Sequence, residues 1–221
     1  MCAKKRVALY GGTFDPVHLG HLEIARGVSE LFEIQQVLFI PALIAPHKQT
    51  RVVTPAIHRY AMLALATQGD PQLFVSTFEL EAPDRRYTVD TVAHFHSTFG
   101  DSSDLFFIMG ADSWSEITTW REWEKLLTMT NHIVVTRPGY DVNVENISKC
   151  LQDRIVDLRF APDPKTIVQN VGGKEIFVTD VVMKDISATK IRRAASEDRF
   201  TDLVNQVPQP VIEYMKKYRI Y

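Results

Sequence analysis

Short apolar runs alternate with segments of helical period along most of the chain. "RVALYG" is a continuous apolar run closed by Gly11 and predicts a buried strand over Arg6–Gly11. "LGHLEIARGVSELF" carries apolar residues at 19, 22, 25, 28, 31 and 32, a stripe of helical period. "QVLFIP" predicts a second strand, ended by Pro41. "TPAIHRYAMLALATQ" predicts a helix with Thr54 as N-cap and Pro55 in its first position. Further strands are predicted in "LFVSTFEL", "DLFFIMG", "HIVVTRPG" and "EIFVTD", the last being the sixth. Further helices are predicted in "TVDTVAHFHSTF", "SATKIRRAA" and "PVIEYMKKYRI". From Tyr140 to Gly173 the pattern is least regular, with a short helix near Val144–Leu151 and an exposed loop.

Strands that alternate with helices predict an α/β fold, a parallel sheet with helices on both faces. The unbroken apolar strands agree, because parallel strands are buried on both sides. Ligands of such sheets bind beyond the carboxyl ends of the strands, so the loops after each strand hold the candidate chemistry. The 221 residues are read as a single domain over 1–221, its part from about 183 to 221 a helical subregion.

Composition narrows the function classes. A net charge of −2 and a pI near 6.4 give no global attraction to nucleic acid or an anionic membrane. Two cysteines, Cys2 and Cys150, form no disulfide framework and favour a reducing compartment. No apolar run reaches the roughly 18 residues of a membrane span. The expectation is a cytoplasmic protein with small-molecule substrates, with no nucleic-acid or membrane partner and with homo-oligomerisation left open.

The first candidate chemistry follows the first strand: Gly11, Gly12, Thr13, Phe14, Asp15, Pro16, then His18-Leu-Gly-His21. Glycines allow a phosphate close to the backbone, and the positive end of the following helix attracts an anion. His18 and His21, three apart, share a face and could donate to phosphate oxygens. A generic HxxH is more often two exposed imidazoles beside a turn. No GxGxxG and no GK[ST] is present, and no third ligand is spaced for a metal. The second candidate is "DISATKIRR", Asp185 to Arg193. It gathers Ser187, Thr189 and Arg192 at a helix start, a set suited to a triphosphate and equally to a capped helix with a solvated basic face.

Taken together, the N-terminal FDPxHxGH pattern and the C-terminal ISxTxIR pattern resemble the nucleotidyltransferase superfamily of adenylyl- and cytidylyltransferases. "PALIAPHK", "RRYTVDT", "GADSW" with Trp120, and "RPG" make the chain similar to the bacterial nicotinate-nucleotide adenylyltransferase family over roughly Arg6 to Arg193. That resemblance implies a Rossmann-like doubly wound sheet. It implies adenylyl transfer from ATP to nicotinate mononucleotide in NAD biosynthesis, with Mg2+ carried by the substrate and no metal held by protein side chains. His18, His21 and Arg192 are then the catalytic set. Gly11, Gly12, Thr13, Phe14, Gly110, Asp112, Ser187 and Thr189 join them around ATP. His47, Lys48, Tyr87, Thr88, Trp120 and Arg121 would meet the second substrate. Ala45, Arg86, Arg121 and Ala188 depart from the family pattern. Spacing does not choose among Trp114, Trp120 and Trp123 for a stacking ring. The alternatives are an adenylyltransferase for nicotinamide mononucleotide or another small phosphate, and a non-catalytic nucleotide sensor. His58, His94, His96 and His132 read as structural or surface residues. Arg59 reads as a snorkelling side chain at the core edge or as a support behind the site.

Overall fold

Among the described residues, seven parallel strands form one sheet: β1 (Lys5–Gly12), β2 (Gln36–Pro41), β3 (Leu73–Val75), β4 (Ser103–Gly110), β5 (Asn131–Val135), β6 (Ile155–Asp157) and β7 (Ile176–Thr179). Their order across the sheet is β3-β2-β1-β4-β5-β7-β6. The computed structural model describes residues 4–43, 53–81, 87–136, 142–145, 147–170, 173–181 and 186–221.

Alternation along β1 sorts the core into two layers. Ala8 and Tyr10 face a cluster built with helices α1 (Leu19–Phe32), α2 (Ala56–Thr67), α8 (Ala188–Ser196) and α9 (Gln209–Tyr218). Val7 and Leu9 face the opposite cluster, built with α3 (Thr88–Phe99), α4 (Ala111–Ser115), α5 (Trp123–Met129) and α6 (Lys149–Gln152). Helices therefore cover both faces, as the continuous apolar strands predict. The chain winds outward from β1 in one direction and from β4 in the other. Their carboxyl ends, at Gly12 and Gly110, flank the crevice where doubly wound sheets bind ligands.

Several elements differ from the pattern-based expectation. The strand expected over "LFVSTFEL" ends at Val75, because Ser76 Oγ accepts from the Phe78 amide at 3.1 Å and turns the chain. Helix α2 begins at Ala56 with Pro55 as its cap, whose carbonyl accepts from His58 N and Arg59 N. The unpredicted strand β6 makes "EIFVTD" the seventh strand, β7, and places it inside the sheet. The short helix expected near Val144–Leu151 occupies Lys149–Gln152. The expected loop contains helix α7 (Pro164–Gln169), started by Asp163, which accepts from Thr166 N at 3.1 Å. Helices α4 and α5 are too short to show a period. Among the described residues no helix is long and apolar enough to cross a membrane.

His132 on β5 is wholly buried, with Nδ1 3.1 Å from the Thr130 carbonyl. Burial holds its pKa down at about 3, against an ordinary 6.5. The unfolded chain therefore binds one more proton than the native one between those values, and stability falls as pH drops from 6.5 toward 3. Urea denaturation across that range is expected to lose up to roughly 1.4 kcal/mol per pH unit from this group. His132→Gln is expected to flatten the slope, and an unchanged slope would refute the assignment.

Candidate active site

The loop from Gly12 to His18 lies over the end of β1. Asp15–Pro16 is a cis peptide. Phe14 has φ 49°, in the left-handed region, and this directs its ring back over the strand. A Cβ on Gly12 would lie 2.9 Å from the Phe14 ring, and one on Gly11 would lie 3.1 Å from Phe107. A side chain at Gly12 would therefore displace the Phe14 ring, and one at Gly11 would press on Phe107. The Phe14 side chain is 3% exposed and its ring meets Tyr10, His21 and Phe39 edge-on, so it packs in the core and the backbone of Phe14 is the part left to border a ligand.

His18 caps α1 in extended conformation and His21 lies in its first turn. Their rings stack with centroids 3.6 Å apart. His21 Nδ1 accepts from the His18 backbone N–H at 3.2 Å, which places the His21 ring proton on Nε2. Gly20 is the residue that permits this: a Cβ there would sit 3.1 Å from His18 Nδ1 and 3.7 Å from Ile186 Cβ. The helix end is less open to an anion than the sequence suggests. Leu19 N donates to the Gln206 carbonyl at 2.8 Å and His21 N to the His18 carbonyl at 2.9 Å. The imidazoles are thus the chief donors on offer there.

The second motif joins the first through Arg192. Ser187 caps α8, its Oγ accepting from Lys190 N at 3.5 Å. Arg192 Nη2 donates to Thr189 Oγ1 at 2.9 Å, and Nη1 donates to the Asp15 carbonyl at 2.7 Å. Segments 177 residues apart in sequence thereby form one wall of histidines, hydroxyls and a guanidinium.

Arg59 decides between its two readings in favour of support. It is 1% exposed, and its guanidinium donates to the carbonyls of Thr54, Thr13 and Ala42 at 2.7–2.8 Å. Desolvation lowers its pKa, opposed chiefly by the nearby charge of Asp15. It clamps the turns after β1 and β2 together.

On the far side of the crevice, Gly110 caps α4 and Asp112 stands exposed in its first turn. Tyr87 caps α3, with Thr88 as its first residue, and the Arg121 guanidinium lies 4.7 Å from the Tyr87 ring centroid. Trp120 meets Phe107 edge-on at 6.5 Å. Trp114, 2% exposed and donating Nε1–H to the Asn143 carbonyl, is a core residue, whereas Trp120 and Trp123 are both partly buried at the edge of the same cluster as Tyr87. His47, Lys48, Ala45, Arg86 and the "RPG" segment lie outside the described residues. Sequence reasoning gave no role to Asp15, although the quoted motif contains it, and overlooked Tyr221, for which no spacing signal exists.

A nucleotide-binding α/β protein is the class that this fold and crevice define, and the cytidylyltransferase-like family profile matches residues 9–194. The probable nicotinate-nucleotide adenylyltransferase of Thermoanaerobacter sp. (strain X514) is 36% identical over 218 residues, covering 98% of this chain and 94% of the relative. The chain belongs to the nicotinate-nucleotide adenylyltransferase family within that class. The probable nicotinate-nucleotide adenylyltransferase of Pelobacter propionicus is 36% identical over 216 residues, with 98% of both chains covered. In fold, the chain is similar to a solved Plasmodium falciparum nicotinic acid mononucleotide adenylyltransferase complexed with NaAD. There the TM-score is 0.71 at 18% identity, covering 97% of this chain and 96% of that one.

Proposed function

We propose that the protein transfers the adenylyl group of ATP to nicotinate mononucleotide, forming nicotinate adenine dinucleotide and pyrophosphate. The observation that carries this reading is the Arg192 bridge, which brings the HxGH and ISxTxIR segments together in one wall. A phosphate oxygen of the mononucleotide attacks the α-phosphorus of ATP. The new P–O bond forms as the bond to the bridging oxygen breaks, and pyrophosphate leaves with the electron pair. No covalent enzyme intermediate is needed, so positioning and charge stabilisation carry the rate.

The residue roles belong to this same reading. The backbone at Gly11, Gly12 and Thr13 borders the nucleotide. His18 and His21 donate to oxygens that gain charge, the latter through Nε2–H. Ser187, Thr189 and Arg192 hold the β- and γ-phosphates. Asp112, beside Gly110, accepts from ribose hydroxyls. Tyr87 and Trp120 border the pyridine, and backbone N–H groups near Thr88 and Arg121 meet its carboxylate. His47 and Lys48 are further phosphate or substrate contacts in this reading. Mg2+ would neutralise phosphate charge. The ion would be held mainly by substrate oxygens and water. The expected setting is the cytoplasm, where small soluble substrates meet a chain with two cysteines.

Identification of the product by mass, from ATP with nicotinate mononucleotide, tests the activity; no pyrophosphate release with any mononucleotide would leave a nucleotide sensor. The Arg121 cation over Tyr87 supports preference for the acid. We expect kcat/KM for nicotinate mononucleotide to exceed that for the nicotinamide form by at least about tenfold. Equal values would end the acid-specific reading.

A further inference from the structure

Tyr221 returns from helix α9 to the loop that carries the histidines. Arg219 adopts φ 50°, in the left-handed region, and the Ile220 amide donates to the Met215 carbonyl at 3.0 Å. This left-handed helix end reverses the chain. The Tyr221 hydroxyl then donates to Asp15 Oδ1 at 2.7 Å. Asp15 is 3% exposed, and a carboxylate so buried needs donors around it. Burial, then the Asp15 charge and hydrogen bond, push the Tyr221 phenol far above its ordinary value, so its proton stays on Tyr221. The same phenol interacts with Thr54, whose carbonyl accepts from Arg59. Asp15 is therefore held at two points: its side chain by Tyr221 and its carbonyl by Arg192. It lies three residues before His18, in the segment whose placement sets both imidazoles.

We propose that Tyr221 is a positioning residue for adenylyl transfer, holding the Asp15 segment so that His18, His21 and Arg192 keep one register around the triphosphate. This rests on the reading that the crevice binds ATP. Tyr221 touches no reacting atom in this account; its effect passes through Asp15.

The test compares Tyr221→Phe with Tyr214→Phe. Each removes one hydroxyl that ties the C-terminal region to the rest of the fold, since Tyr214 O–H lies 2.8 Å from His58 Nδ1. Calorimetry measures binding of α,β-methylene-ATP and of adenosine, which has no phosphates. Turnover is followed in parallel. For Tyr221→Phe we expect analogue affinity to fall about fivefold and kcat about tenfold, because small misplacements of a catalytic group are costly. Adenosine binding and the Tyr214→Phe variant should stay within about twofold of wild type. Tyr221→Phe in an Asp15→Asn background should add little further loss, because the two act as one unit. Unchanged analogue binding and turnover in Tyr221→Phe, an equal loss in Tyr214→Phe, or additive losses with Asp15→Asn would each overturn the proposal. The binding arm needs no acceptor. If the wild type forms no dinucleotide but Tyr221→Phe still selectively weakens the analogue, the activity reading fails and the positioning role stands. A wild type that binds no analogue overturns both.

Discussion

Replacing either His18 or His21 by Ala is expected to lower kcat by about 10²-fold or more, the range for a lost transition-state donor. The two rings do not contribute in the same way. His21 accepts from the His18 backbone N–H and presents Nε2–H outward. His18, 8% exposed, is also the cap of α1. His18→Asn places a good capping residue at that position, so its kcat loss is expected without a fall in Tm. Because the rings stack at 3.6 Å, the double variant is expected to lose less than the product of the single losses. Turnover within about threefold of wild type in both single variants would show that the phosphates are stabilised elsewhere.

The second large effect is expected at Arg59. Arg59→Met keeps a side chain of similar length but removes the guanidinium donors to the Thr54, Thr13 and Ala42 carbonyls. The three acceptors belong to half-buried residues that water can partly reach, so each one left without the guanidinium costs about 1 kcal/mol, offset in part because a buried charge is also removed. A net loss of about 2 kcal/mol in urea denaturation is expected. The loss should come with a fall in activity, because Thr13 begins the histidine loop. Arg59→Lys should recover only part of either, since an ammonium cannot span three carbonyls with a planar fork. Wild-type stability in Arg59→Met would mean that water or a neighbouring side chain replaces the guanidinium.

Much of the fold is legible along the chain because its strongest signals are local. The stripe in "LGHLEIARGVSELF" matches α1 residue for residue, and "TVDTVAHFHSTF" matches α3. Long periodic segments with one apolar face have a single low-energy use. The misses fall where that signal is short. β6 has three residues, and α4 has five. The start of α7 was legible in principle, since "DPKT" places a capping acid before proline at the first helical position. In the candidate site, motif chemistry singled out the histidines and Arg192, which the structure brings close through the Asp15 carbonyl, while it carried no signal that the Phe14 ring packs in the core.

The sequence by itself determined the alternation of strands and helices, the two phosphate-type motifs and the family they belong to. These depend on residue order over short spans and on rare residue combinations. Only the tertiary structure decided which donors face the crevice. The Asp15 carbonyl meets Arg192 across 177 residues. Trp114 enters the core while Trp120 and Trp123 stay partly open at its edge. Arg59 lies inside, and Tyr221 reaches the histidine loop. Each of these outcomes depends on where separate elements pack, and packing brings together residues whose spacing along the chain carries no trace of the contact.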